Sequence, residues 1–165
     1  MADARLPLTD APTHGDRTHT CGALREADAG QTVVLKGWVD QRRDFGGLNF
    51  IDLRDRYGIT QLVFSPEIDT ALAALAERMR GEDVISVRGE VRVRERKTDK
   101  LATGDVEVYV SDVEVLAVAE TPPFVVSEND PRATTPSDET ALTYRYLDLR
   151  RSKLQRNLTL RSDLY

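Results

Sequence analysis

The chain has 165 residues, 40 % of them apolar, 6 % aromatic and 31 % charged, with a formal net charge of −5. That size suits one ordinary domain with extensions and excludes a large second core, and no apolar run approaches the roughly 20 residues needed to cross a bilayer. Cys21 is the only cysteine, which excludes an internal disulfide and a cysteine metal cluster and leaves a small buried side chain as its expected role.

Residues 1–17, rich in Asp, Thr and Pro and without a hydrophobic signal core, read as a disordered tail. Nothing in them indicates export, so a cytoplasmic location is expected. Residues 21–30 read as a short helix closed by Gly30, a natural C-cap residue. From Gln31 the pattern turns to β. Residues 32–40 are valine-rich around Trp38, residues 48–53 alternate, and residues 60–64 alternate again. Asp44-Phe45-Gly46-Gly47 and Asp55-Arg56-Tyr57-Gly58 supply the turns between them. Ser65-Pro66 then opens a helix over 65–80, with Ile68, Ala71, Leu72, Leu75, Ala76 and Met79 on one face and Gly81 as its stop. Two strands follow. Residues 83–94 carry Ile85, Val87, Val91 and Val93 on one side, and residues 105–118 carry Val106, Val108 and Val110 on one side. The loop between them, 95–104, is polar and basic, as an exposed hairpin tip should be.

Three strands, a helix and two strands predict a mainly β fold. The arrangement is a five-stranded OB-fold Greek-key barrel over 18–118, with one helix between strands 3 and 4; other small barrels share the spacing. Residues 119–140 contain Pro122, Pro123, Pro131 and Pro136 without an amphipathic pattern and read as a linker. Residues 141–165 set Leu149, Leu154, Leu158 and Leu160 among arginines and read as the start of a helical region.

An acidic total counts against nucleic-acid binding, but the charge is segregated. Residues 88–100 hold six basic and three acidic side chains, 119–140 one and five, and 141–165 six and two. Side chains alternate along a strand, so with Ile51, Leu53, Leu62, Phe64 and the valines of 106–110 inside, Phe50, Asp52, Gln61, Val63, Glu107 and Tyr109 face outward. Phe50 is suited to stacking on an unpaired base. Gln61 both donates to and accepts from a base edge, and Glu107 accepts from an amino or imino proton. Arg42, Arg43, Arg92 and Arg94 are placed to hold phosphates nearby. The same residues also fit an ordinary solvated face, and alternation alone leaves both readings open. Trp38 is expected against the barrel wall. His14 and His19 lie in the tail without partner ligands, and no metal site, glycine-rich phosphate loop or catalytic triad is expected.

The strings Gly37-Trp38-Val39, Arg42-Arg43-Asp44, Phe45-Gly46-Gly47-Leu48, Phe50-Ile51-Asp52-Leu53-Arg54-Asp55-Arg56, Gly58-Ile59 and Gln61 closely resemble the N-terminal domain of bacterial aspartyl-tRNA synthetases. Ala102-Thr103-Gly104-Asp105-Val106-Glu107-Val108 resembles that family's last barrel strand, and Tyr144-Arg145-Tyr146-Leu147-Asp148-Leu149-Arg150-Arg151 its path to the catalytic domain. The resemblance implies that Phe50 stacks with the middle base of a G-U-C anticodon and Gln61 reads its edge. It implies that Glu107 reads a neighbouring base and that Arg43 belongs to the same surface, leaving Arg42, Arg92 and Arg94 as phosphate contacts. It further implies a class II aspartate–tRNA ligase that uses ATP and magnesium, acts on tRNA-Asp and dimerises through its catalytic domain. Residues 141–165 are then the hinge and opening of that domain, and the chain is expected to bind tRNA without catalytic residues or cofactors of its own. An asparaginyl- or lysyl-tRNA synthetase, and a stand-alone OB-fold RNA-binding module, are the alternatives.

Overall fold

The computed structural model describes residues 6–127, 130 and 133–165. The chain divides into two compact units, Met1–Glu120 and Thr121–Tyr165. In the first unit the alternating segments become β1 (Thr32–Phe45), β2 (Leu48–Arg54), β3 (Ile59–Phe64), β4 (Val84–Val93) and β5 (Val106–Ala117), with helix α1 (Thr70–Arg78) between β3 and β4. The strands close into a barrel in the order β1-β2-β3-β5-β4, so the expected five-stranded architecture is the observed one. Every pairing is antiparallel except β3 with β5, where Leu62 stands beside Val108 and Val63 beside Tyr109. Closure leaves no unpaired sheet edge. Inside lie Leu35, Ile51, Leu53, Leu62, Phe64, Ile85, Val87, Val91, Val106 and Val108, with Cys21 and Leu24 against them. Burying a side chain of this size stabilises by roughly 1.5–3 kcal/mol, so the barrel interior dominates the stability of this unit.

β1 is longer than its sequence signal because it serves two neighbours. Its first half pairs with β4 and its second half with β2, and Trp38 is opposite both Val84 and Arg54. At this changeover Gly37 is required, since a Cβ there would sit 2.4 Å from the Arg54 carbonyl oxygen. A bulge between Val39 and Gln41 adds the bend. Trp38 lies under the Arg54 guanidinium, 5.8 Å from the ring centre.

Three local expectations are corrected. The helix starts four residues late: Asp69 caps it, its carboxylate accepting from the amides of Ala71 (2.7 Å) and Leu72 (3.1 Å). Ser65 instead closes a turn, its carbonyl accepting from Ile68 and Asp69. Of the expected face, Leu72, Leu75, Ala76 and Met79 do pack on the core, joined by the buried Ala73, while Ala71 is exposed and Ile68, which precedes the helix, is 45 % exposed. Val93 is 46 % exposed, because it is the last residue of β4 and the apolar interior ends with Val91 on that strand. The expected 21–30 helix shrinks to a 3-10 turn at Glu26–Asp28.

The largest correction concerns the tail. Within residues 6–17, Leu6, Thr9, Thr13 and His14 are tied to the barrel rather than loose. Leu6 joins the core. The Thr9 amide donates to the Val115 carbonyl (2.9 Å), and the Val115 amide donates back to the Thr9 hydroxyl (3.0 Å). The Glu114 carboxylate accepts from the amides of Thr13 and His14 and from the Thr13 hydroxyl. His14, expected to lack partners, is buried with Nδ1 2.8 Å from Ser86 Oγ and Nε2 3.0 Å from Asp112. These partners lie 72 to 106 residues away, so no local composition could announce them.

The second unit holds α2 (Asp138–Thr143), α3 (Arg145–Asp148) and α4 (Ser152–Asp163). Ser137 caps α2, so helix begins just inside the expected linker. The helical region expected from 141 onward is present. Phe124, Val126 and Leu147 form a small core, and the buried Asp148 accepts from Arg145 (2.9 Å) and pairs with Arg151 (3.5 Å). Expectations for residues 1–5, 128–129 and 131–132 fall outside the described residues.

The arm contacts carry a pH dependence. The His14 hydrogen bond holds Asp112 below its ordinary value. Burial pushes Glu114 up, but the Thr13 and His14 hydrogen bonds outweigh it and bring it below its ordinary value. Carboxyls lowered by folding contribute stability that is complete above their unfolded pKa, about 4, and is lost as pH falls through the folded values. Protection of the Thr13 and His14 amides from hydrogen exchange, relative to their intrinsic exchange rates, should therefore be high at neutral pH and fall below about pH 4. Glu114→Ala should lower it at neutral pH by an amount equivalent to about 1–3 kcal/mol, because a buried and a part-buried amide lose their acceptor.

Candidate nucleic-acid interface

The hairpin between β1 and β2 positions the first part of the site. Phe45 pairs with Leu48 across a two-residue turn, Gly46-Gly47, whose φ angles are +68° and +93°. Positive φ at both residues matches the right-handed twist of the flanking strands, and the Asp44 carboxylate accepts from the Gly47 amide at 2.9 Å. The turn thus sets Phe45, 67 % exposed, edge-on to Phe50, with ring centres 5.7 Å apart at 81°.

The strand register positions the rest. Phe50 is opposite Arg43 on β1 and Val63 on β3, and Asp52 is opposite Gln61. The parallel β3–β5 pairing brings Glu107 beside Gln61. A continuous polar chain results. Arg43 Nη2 donates to Asp52 Oδ1 at 2.8 Å and to Gln61 Oε1 at 3.2 Å, and Gln61 Nε2 donates to Glu107 Oε2 at 2.8 Å. Arg94 Nε lies 4.0 Å from the same Glu107 oxygen. These residues border an open groove of about 540 Å³, lined by Arg43, Phe45, Leu48, Phe50, Gln61, Arg94, Glu95, Arg96, Glu107 and Tyr109.

Three arginines and two glutamates around the groove give it a positive balance inside an acidic chain. Burial raises the Asp52 carboxyl, although the Arg43 ion pair opposes the shift. Burial likewise lowers Arg94, opposed by Glu107 and Asp52. Burial and then Glu107 push the Tyr109 hydroxyl up. Charges taken partly out of water and held by one another are arranged before any ligand arrives.

Of the expected site residues, Arg43, Phe50, Gln61 and Glu107 meet in this groove. Arg92 lies beside it, stacked 4.2 Å over the Tyr109 ring and paired with Glu90 at 2.7 Å. Two expected phosphate contacts are placed differently. Arg94 is buried against Glu107 and Asp52, so it belongs to the groove's floor rather than to an exposed basic surface. Arg42 directly precedes Arg43 and so takes the opposite face, where it donates to the buried Asn49 at 3.2 Å. Phe45, Arg96 and Tyr109 were not among the expected site residues. Phe45 had one readable signal: a Gly-Gly pair makes a tight hairpin and places residue 45 on the same face as 43. Ser86, His14 and Asp112 line up like a nucleophile, a base and an orienting carboxylate, but Ser86 is fully buried and meets no substrate. Among the described residues no group of three or more His, Cys, Asp and Glu could hold a metal, and no helix is long and apolar enough to cross a membrane.

A family described as an OB-fold nucleic acid binding domain matches residues 33–116, the barrel with this groove. The chain belongs to that family. It is 52 % identical over 164 residues to an aspartate–tRNA(Asp/Asn) ligase of Salinibacter ruber, covering 98 % of this chain and 26 % of that one. It is 50 % identical over 145 residues to an aspartate–tRNA ligase of Parabacteroides distasonis, covering 88 % and 24 %. Its fold is that of an aspartyl tRNA synthetase from Entamoeba histolytica, with a TM-score of 0.80 at 21 % identity, covering 96 % of this chain and 38 % of that one. The chain spans about a quarter of the length of the curated relatives it matches.

The hairpin turn makes the groove sensitive to backbone strain. A side chain at Gly46 or Gly47 would meet no atom within 4 Å, so any penalty there is conformational. Gly47→Val is expected to destabilise the barrel by about 1–2 kcal/mol, read from urea or thermal unfolding. Gly46→Asn, which tolerates the left-handed region, is expected to have a smaller effect.

Proposed function

We propose that this chain is the anticodon-reading part of an aspartate–tRNA ligase, an enzyme that uses ATP and magnesium to join aspartate to tRNA-Asp. The observation that carries the reading is the convergence of a stacking ring, an amide and a carboxylate in one groove. The chain in which they converge is about half identical to proteins named aspartate–tRNA ligase. In this reading Phe50 stacks on the middle anticodon base and Gln61 bonds its edge. Glu107 accepts from a neighbouring base, and Arg43 steadies both. Arg92, on the groove's shoulder, holds backbone phosphate. Dimerisation through a catalytic domain and a cytoplasmic location belong to the same reading.

Stacking and edge recognition act on a particular base, whereas phosphate contacts weaken all RNA binding alike. Binding titrations with tRNAs that differ only in the anticodon, at two salt concentrations, separate the two. Phe50→Ala is expected to weaken binding of tRNA-Asp by about 1–3 kcal/mol. Gln61→Ala is expected to erase the preference for uridine at the middle position with the salt slope unchanged. Arg92→Ala is expected to reduce that slope by about 1. Equal loss for every anticodon in Gln61→Ala would leave only a general RNA-binding module.

A further inference from the structure

The groove's polar chain has a directional consequence that neither alternation nor resemblance contains. A glutamine amide has an oxygen with two lone pairs and a nitrogen with two N–H groups, and turning it over exchanges donor and acceptor. At Gln61 that freedom is removed. Arg43 can only donate, so the atom facing it must be Oε1, and the ionised Glu107 can only accept, so the atom facing it must be Nε2. Reversal would set N–H groups against a guanidinium and an oxygen against a carboxylate. After these two bonds, one lone pair and one N–H of Gln61 remain for a ligand.

Arg43 does not hold this position by itself. The same Nη2 that reaches Gln61 also donates to Asp52 at the shorter distance of 2.8 Å. Asp52 is buried, is directly opposite Gln61 in the β2–β3 ladder, and does not line the groove. It therefore meets no ligand and acts through Arg43. We infer that Asp52 is a positioning residue that, through Arg43, fixes the polarity of the Gln61 amide and so makes the groove choose between the two pyrimidines. The inference rests on the base-reading proposal above. For the uridine which that proposal places at Gln61, N3–H meets Oε1 and the O4 carbonyl meets Nε2. A cytosine in the same place presents an acceptor to Oε1 and an amino group to Nε2, a mismatch at both atoms. With a free amide, reversal would accommodate either base. With the amide locked, it would not.

The test uses this chain and two tRNA-Asp transcripts that differ only in carrying U or C at the middle anticodon position. Wild-type chain should prefer the U transcript. Asp52→Asn replaces a charged acceptor with a neutral one, which removes the ion pair and weakens the bond to Arg43. It should lower the U-to-C ratio about tenfold, mainly by tightening binding of the C transcript. Discrimination at the first anticodon position should remain, which general loosening of the barrel would not spare. In an Arg43→Ala background Asp52→Asn should change nothing further. If Asp52→Asn fails to fold, Glu107→Gln frees the amide from its other end and must lower the same ratio. A ratio that stays within about twofold of wild type in a folded Asp52→Asn variant, while Gln61→Ala abolishes it, overturns the lock alone. A ratio untouched by Gln61→Ala overturns the base-reading proposal itself.

Discussion

The parallel pairing of β3 with β5 is the contact on which both the core and the groove depend. It is short, joining Leu62 to Val108 and Val63 to Tyr109, yet it closes the sheet. On the inner face it presses Leu62 and Val108 into one apolar interior. On the outer face the same two residues of register set Gln61 beside Glu107. Because side chains alternate with a period of two, a slip of one residue would bury Gln61 and Glu107 and expose Leu62 and Val108. The apolar interior therefore enforces the geometry of the polar groove, and the free energy that closes the barrel also aligns the groups on its surface.

The groove is built from charges that are only partly hydrated. Asp52, Arg94 and Glu107 are each at least nine-tenths buried. Groups in such places are expensive unless each finds a partner. Arg43 and Gln61 supply partners to Asp52 and Glu107, whereas Arg94 Nε is buried without a hydrogen bond and has only the Glu107 carboxylate 4.0 Å away. The aromatic part is different in kind. Phe45 and Phe50 meet edge to face at the hairpin and keep exposed ring surface, which suits a flat apolar ligand. A polar floor and an open aromatic rim thus lie side by side in one groove.

The arm of residues 6–17 shows how a segment of polar composition becomes part of a fold. It contributes Leu6 to the core, but most of its contacts are hydrogen bonds to β4 and β5 around Glu114, Ser86 and Asp112. Thr13 and His14, in a stretch whose composition in isolation describes a disordered chain, here supply a hydroxyl and two amides to a buried carboxylate.

Much of the molecule was legible from residue order. Alternation located all five strands, and the same period of two put Phe50, Gln61 and Glu107 outside and their apolar neighbours within. These are local properties, since the pleat of a strand dictates them whatever the partner. Other features depended on contacts between distant residues. The helix is capped by Asp69 rather than Ser65, although both can cap, because Ser65 is taken up in a turn with Ile68 and Asp69. Arg42 and Arg94 looked equivalent to Arg43 and Arg92 as positive charges, but strand register and burial sent one to Asn49 and the other to Glu107. The tail's attachment needed Glu114, a hundred residues on. By itself the sequence determined which side chains could share a face, because backbone geometry repeats locally. Only the tertiary structure decided which faces met, because Gln61 acquires a fixed polarity only between an arginine from β1 and a glutamate from β5.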